Sequence, residues 1–211
     1  EHDALAIERL KKHGAIIFGK TNVSMMLMDW QSHNPLYGTT HNPWHKDHTP
    51  GGSSGGSAAA LAAGFTALEL GSDLAGSLRT PAHYCGVYAH KPTLDLIPLR
   101  GAGAPRMPAY HTRIDLAVAG PMGRSAADLA LALNALAGPD EIFQGRAYQL
   151  ALPKPRHKVL SEFRVLLLKD HPLCPTEKAI HTALDQVADA LKTAGVTVAL
   201  SSNDLPDLAK T

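Results

Sequence analysis

Two serine-bearing turns hold most of the chemistry written into this 211-residue sequence. The first is GGSSGGS, Gly51 to Ser57; the second is GSDLAGS, Gly71 to Ser77, with Asp73 inside it and Arg79 just beyond. Glycine-rich turns serve three ends: they cradle a phosphate on free amides at a helix N-terminus, they link domains, or they hold a nucleophile where backbone must approach a substrate closely. The phosphate reading is weak, because a Walker loop needs a lysine and a hydroxyl residue at its end and the dinucleotide fingerprint needs another glycine spacing. The linker reading is weak too, since Ala58 onward is apolar and helix-forming, so the glycines run straight into a core element.

Serine chemistry needs a neighbour that takes the hydroxyl proton, and twelve histidines are on offer. His41, His45 and His48 share one loop, but neither their spacing nor a carboxylate partner matches a recognised metal-ligand set, and they read as solvated side chains. His83, beside Tyr84 and Cys85, reads as a packed side chain and receives no triad role. No metal and no cofactor is expected.

The elements around these turns suggest an α/β protein. Ala4 to His13 carries Leu5, Ile7 and Leu10 near one face and is followed by Gly14, the pattern of a capped helix. Ala15 to Phe18 is an apolar run read as a buried parallel strand. Thr39 to Gly56 is long for an idle connection, which points to function. Ser57 to Ala63 reads as helix, Thr66 to Leu70 as strand, and ligands in open α/β sheets gather where such strands end. Ser125 to Ala137 reads as a core-facing helix carrying Leu129, Leu131, Leu133 and Leu136, with Ser125 as N-cap and Gly138 as stop. Pro139 to Leu160 is irregular; Arg164 to Leu168 and Val196 to Leu200 read as strands flanking a helix from Thr176 to Ala194.

Composition narrows the field. A formal net charge of +1 without a basic cluster leaves no electrostatic footprint for nucleic acid. The longest apolar stretch, near Ala58 to Leu70, falls short of the ~20 residues of a membrane span. Cys85 and Cys174 form no disulfide framework, which suits a reducing, cytoplasmic setting.

The run GGSSGGSAAALAAGFTALELGSDLAGSLRTPAHYCGVYAHKPT, Gly51 to Thr93, closely resembles the signature region of the amidase signature family. Further matches are GAIIFGKTN (Gly14 to Asn22), NPLYGTTHNPW (Asn34 to Trp44) and GPMGRSAADLALAL (Gly120 to Leu133). The resemblance implies a mixed central sheet covered by helices on both faces, with residues 1–211 part of a single amidase signature domain and its signature core near 14–135. It also implies amide hydrolysis through a serine, a cis-serine and a lysine. By motif position Ser77 is the nucleophile and Ser53 the relay serine, its peptide with Gly52 expected to be cis. Ser54 supports the relay, and the backbone amides of Leu74, Ala75, Gly76 and Ser77 form the oxyanion hole. Gly52, Asp73 and Arg79 brace the loops; Leu27, Met28 and Trp30, with the Gly101 to His111 stretch as a rim, are candidates for the substrate pocket.

The sequence departs from the family in two places. Ala75 and Gly76 stand where a pair of glycines is usual, which adds a methyl but keeps the amide donors. The resemblance puts the base lysine ahead of the GKTN segment, before Glu1, and a further portion after Thr211; Lys20 belongs to GKTN and is not that lysine. The expected partner is a small-molecule amide, with no nucleic acid and no membrane, and a homodimer stays open. Two alternatives stand beside the stand-alone hydrolase: an inactive fragment or scaffold, and the amidase component of a tRNA-dependent amidotransferase. The latter ranks lower because LDLIPLRGAGAPR, Leu94 to Arg106, is unlike that subfamily's usual continuation.

Overall fold

The computed structural model describes residues 2–103, 114–140, 142, 150–202 and 205–210. The chain divides into two compact units, Glu1–Leu150 and Ala151–Thr211.

The first unit is built on a three-stranded antiparallel sheet. Strand β3 (Leu68–Asp73) and β4 (Tyr88–Ala89) flank a central β5 (Val118–Gly123), with Leu70 opposite Pro121 and Asp73 opposite Val118. All six residues of β5 are buried, so helices must cover both faces. Alternation along the strands assigns them. Leu68, Leu70 and Ala119 pack in a cluster with Leu10 of helix α1 (Leu5–Lys12) and with Ala132 and Leu136 of helix α4 (Ala126–Leu136). Met122, on the opposite face, packs with Ala58 and Leu61 of helix α2 (Gly55–Ala62), Leu78, and Ala82 and Cys85 of helix α3 (Arg79–Cys85). Leu61, Leu78 and Met122 are fully buried, each worth about 1.5–3 kcal/mol by removal of apolar surface from water.

Both ends of α4 are held by side chains, one local and one distant. The Ser125 hydroxyl accepts the Asp128 amide at 3.1 Å, capping α4 as its sequence predicts. At the other end Arg9 reaches across from α1 and donates to the carbonyls of Leu136 and Pro139, both at 2.6 Å. These otherwise orphaned acceptors are thereby satisfied. A short hairpin, β1 (His33–Asn34) and β2 (Gly38–Thr39), precedes the first serine turn.

In the second unit β6 (Arg164–Leu166) and β7 (Thr197–Ala199) pair in parallel through helix α5 (Lys178–Thr193). This is the crossover that parallel strands require. Taken together, the chain is mixed α/β.

Some expectations need correction. Ala15 to Phe18 forms no strand: Ile16 is 86% and Phe18 76% exposed, and no described strand pairs with the segment. An apolar run supplies the side chains of a strand, but only a neighbouring backbone makes it one. β3 begins at Leu68 rather than Thr66 and runs three residues past Leu70, because pairing with β5 carries it to Asp73. Leu131 points outward at 72% exposed, and the smaller Ala132 takes the core position. Most of Gly101 to His111, and residues 141 and 143–149 of the irregular stretch, lie outside the described residues.

Candidate active site

The two serine turns meet where β3 ends and α2 begins. The Ser54 amide donates to the Ser77 carbonyl at 3.2 Å, and Ser54 Oγ lies 3.4 Å from both the amide and the carbonyl of Ser72. Gly71 makes this approach possible: a Cβ there would sit 2.6 Å from Ser54 Oγ and 2.7 Å from Leu78 Cδ2. Ser53 and Ser77 are both buried, at 2% and 9% exposed, and the Gly52–Ser53 peptide is cis.

The second turn is organised by one carboxylate. Asp73, fully buried, accepts from the amides of Gly76 at 2.9 Å and Leu78 at 3.1 Å, and from Arg79 Nε at 3.0 Å and Nη2 at 2.9 Å. Burial opposes its ionisation, but the Arg79 guanidinium and the turn amides outweigh that cost and hold the carboxyl down to about 2. Gly76 has φ +107°, a conformation suited to glycine, and its carbonyl accepts Thr80 N at 2.7 Å, which starts α3. Among the four amides at 74–77, that of Gly76 is therefore engaged. Those of Leu74, Ala75 and Ser77 have no hydrogen-bond partner among the described residues.

A layer of polar side chains holds the first turn from behind. Thr21 Oγ1 meets Ser57 Oγ at 2.8 Å, and the Asn22 carbonyl accepts Gly56 N at 3.2 Å. Asn22 Nδ2 also reaches Thr40 Oγ1 at 3.0 Å and the Gly38 carbonyl at 3.1 Å, and its Oδ1 accepts from Asn34 Nδ2, so the hairpin is tied to α2. Ser32, fully buried, contacts the turn on both sides of Ser53. Asn22 was legible as part of GKTN. Ser32 was not, because a lone serine in WQSHN carries no pattern of its own.

Leu27, Met28 and Trp30 are 52%, 84% and 59% exposed. Their segment abuts the first turn at Gly52, where a Cβ would run into the Asp29 carbonyl and the Trp30 backbone. Met26 and Leu27 hold positive φ of 55° and 60°, a conformation that costs non-glycine residues on the order of 1–3 kcal/mol and clusters at ligand-handling segments. A cleft of about 500 Å³ between α1 and α4, lined by Glu8, Arg9, Lys12 and His13 among others, contains none of the serines.

The family model described as Amidase matches residues 1–209. The chain belongs to the amidase family. It is similar to a glutamyl-tRNA(Gln) amidotransferase subunit of Saccharolobus solfataricus, 46% identical over 140 residues that make up 66% of this chain and 28% of the relative. Among solved structures, fatty acid amide hydrolase aligns with TM-score 0.78 and 30% identity over 95% of this chain and 35% of its own. The corresponding glutamyl-tRNA(Gln) amidotransferase subunit of Thermotoga maritima superposes with TM-score 0.79 and 28% identity over 93% and 42%. The chain thus spans less than half the length of each of these relatives.

In this amidase-family chain the four histidines singled out by sequence lie at the surface, which corrects the reading of His83 as a packed side chain. His41, His45, His48 and His83 are all exposed, the rings of His45 and His48 lie 4.5 Å apart, and no group of three or more metal-ligating side chains occurs among the described residues. Lys20 is exposed as well. Both cysteines are free; burial pushes the Cys85 thiol up to about 11, which suppresses its thiolate. No described helix is long and apolar enough to cross a membrane.

Proposed function

We propose that this chain carries the nucleophile and the oxyanion-binding turn of an amidase that hydrolyses a carboxylic amide to an acid plus ammonia or an amine. Ser77 Oγ attacks the amide carbonyl, and its proton passes to Ser53 and on to the base lysine that the family resemblance implies. The tetrahedral oxyanion is received by the open backbone amides at Leu74, Ala75 and Ser77; the fourth amide of the expected set, Gly76, gives its one N–H to Asp73 and shapes the turn instead. Loss of one such donor typically costs about 10²- to 10³-fold in rate. The proton taken from Ser77 returns through Ser53 to the amide nitrogen as collapse expels the amine. Water then adds to the Ser77 acyl-enzyme, giving its proton to the same relay, and the acid leaves as Ser77 Oγ is reprotonated. Ser54 supports the relay, Gly52, Asp73 and Arg79 brace the two turns, and both compact units belong to one amidase domain.

The observation that carries this reading is the Ser54 N to Ser77 O bond of 3.2 Å, which brings the two serine turns together in a family of amide-cleaving enzymes. Leu27, Met28 and Trp30, exposed beside Gly52, would take the apolar part of the substrate.

A second reading is the amidase component of a tRNA-dependent amidotransferase, working with partner chains. It is favoured by curated relatives that are named as glutamyl-tRNA(Gln) amidotransferase subunits. Against it stands the Leu94 to Arg106 sequence.

A serine-reactive fluorophosphonate should label Ser77 in the full gene product, and Ser77→Ala should abolish both labelling and turnover of amides. Retained turnover in Ser77→Ala would sink the hydrolase reading. ATP-dependent transfer that requires a co-purifying partner would move the assignment to the amidotransferase.

A further inference from the structure

We infer that Ser32 is a positioning residue for Ser53, a role that rests on the amidase reading above. Ser32 is fully buried, two residues beyond the exposed Trp30 and at the foot of the β1–β2 hairpin. Its Oγ lies 3.1 Å from the Gly51 carbonyl and 3.3 Å from the Ser53 carbonyl, and it accepts the Gly55 amide at 2.9 Å. A hydroxyl has one proton and two lone pairs. It therefore donates to one carbonyl at a time while holding Gly55, the first residue of α2, from the other side.

One side chain thus spans the stretch from Gly51 to Gly55, with Ser53 between its contacts. Gly55 complements it, since a Cβ at that position would collide with Ser32 Oγ. Ser32 is itself fixed: its carbonyl accepts the Thr40 amide at 2.9 Å and Asn22 Nδ2 at 3.4 Å. The hairpin sets Ser32, Ser32 sets the backbone around Ser53, and that backbone aims the Ser53 hydroxyl. Ser32 touches neither substrate nor the reacting atoms in this scheme. Its effect falls on proton transfer, where a displacement of about 1 Å can cost about 10²-fold in rate.

The test is made on the full gene product with Ser32→Ala and Ser32→Cys. The cysteine variant keeps nearly the same volume while replacing the hydroxyl with a weak donor and weak acceptor, so it separates the hydrogen bonds from the packing. Both variants are expected to lose at least about tenfold in kcat with KM changed less than about twofold, and to slow fluorophosphonate labelling of Ser77 in parallel. Wild-type kcat in Ser32→Cys, a loss confined to KM, or loss of kcat only together with loss of the folded circular-dichroism spectrum in both variants would each overturn the inference. Failure of the amidase reading shows separately, as turnover that survives Ser77→Ala.

Discussion

Arg79 grips Asp73 at two points: its Nε lies 3.0 Å from one carboxylate oxygen and its Nη2 2.9 Å from the other. The pair is unequal. Asp73 is buried and also receives the Gly76 and Leu78 amides, whereas the Arg79 side chain is 57% exposed. The carboxylate holds the turn, and the guanidinium holds the carboxylate.

Asp73→Ala should therefore cost more stability than Arg79→Ala. Removing the carboxylate orphans two buried amides, each worth about 1–3 kcal/mol, so a loss of about 3 kcal/mol is expected in urea titration. Removing the guanidinium leaves the buried carboxylate with its amide donors and should cost less, about 1–2 kcal/mol. Equal losses would show that the ion pair, not the amide bonds, holds the turn. The pair also sets an acid limit. The folded carboxyl is lowered from an ordinary 3.8 to about 2, so its stabilisation is complete above the unfolded value and is lost as pH falls from about 4 through about 2. Wild type should lose more stability across that window than Asp73→Asn.

Glu69 titrates in the opposite sense. Burial of the carboxyl raises its pKa. A carboxyl raised in the folded state favours the fold while protonated, and that contribution is lost as pH rises through the folded value. Glu69→Gln, which keeps an acceptor without the charge, should melt at a higher temperature than wild type at pH 7. The gap should close toward pH 4. A lower melting temperature for the glutamine variant at pH 7 would mean that the ionised form is favoured.

Gly71→Ala tests the joint between the turns. The new Cβ would press on Ser54 Oγ and Leu78 Cδ2 at 2.6 and 2.7 Å. Overpacking of this kind costs typically about 1–3 kcal/mol, and the displaced Ser54 should slow labelling of Ser77. Gly19→Ala is the control, with nothing within 4 Å of its Cβ and no positive φ to strain. Equal thermal shifts for the two variants would contradict the packing account.

Much of this was legible along the chain. The capped helices announce themselves because their signals are local: Ser125 sits three residues from the amide it caps, and Gly14, Gly64 and Gly195 all hold positive φ just after helices. The two serine turns and the family were equally readable, since both lie in contiguous runs. Ala15 to Phe18 misled because strand identity depends on a partner that no local run contains.

The sequence by itself determined the family, the residue types of the serine turns and the positions of the main helices. Tertiary structure decided which groups those turns have left to offer. It ties the Gly76 amide to Asp73, brings Ser54 onto Ser77 across 23 positions of chain, and sets Ser32 behind Ser53 from an element 21 residues away. Hydrogen-bond partners are chosen by distance in space, and a buried donor takes whichever acceptor the packed core brings within about 3 Å.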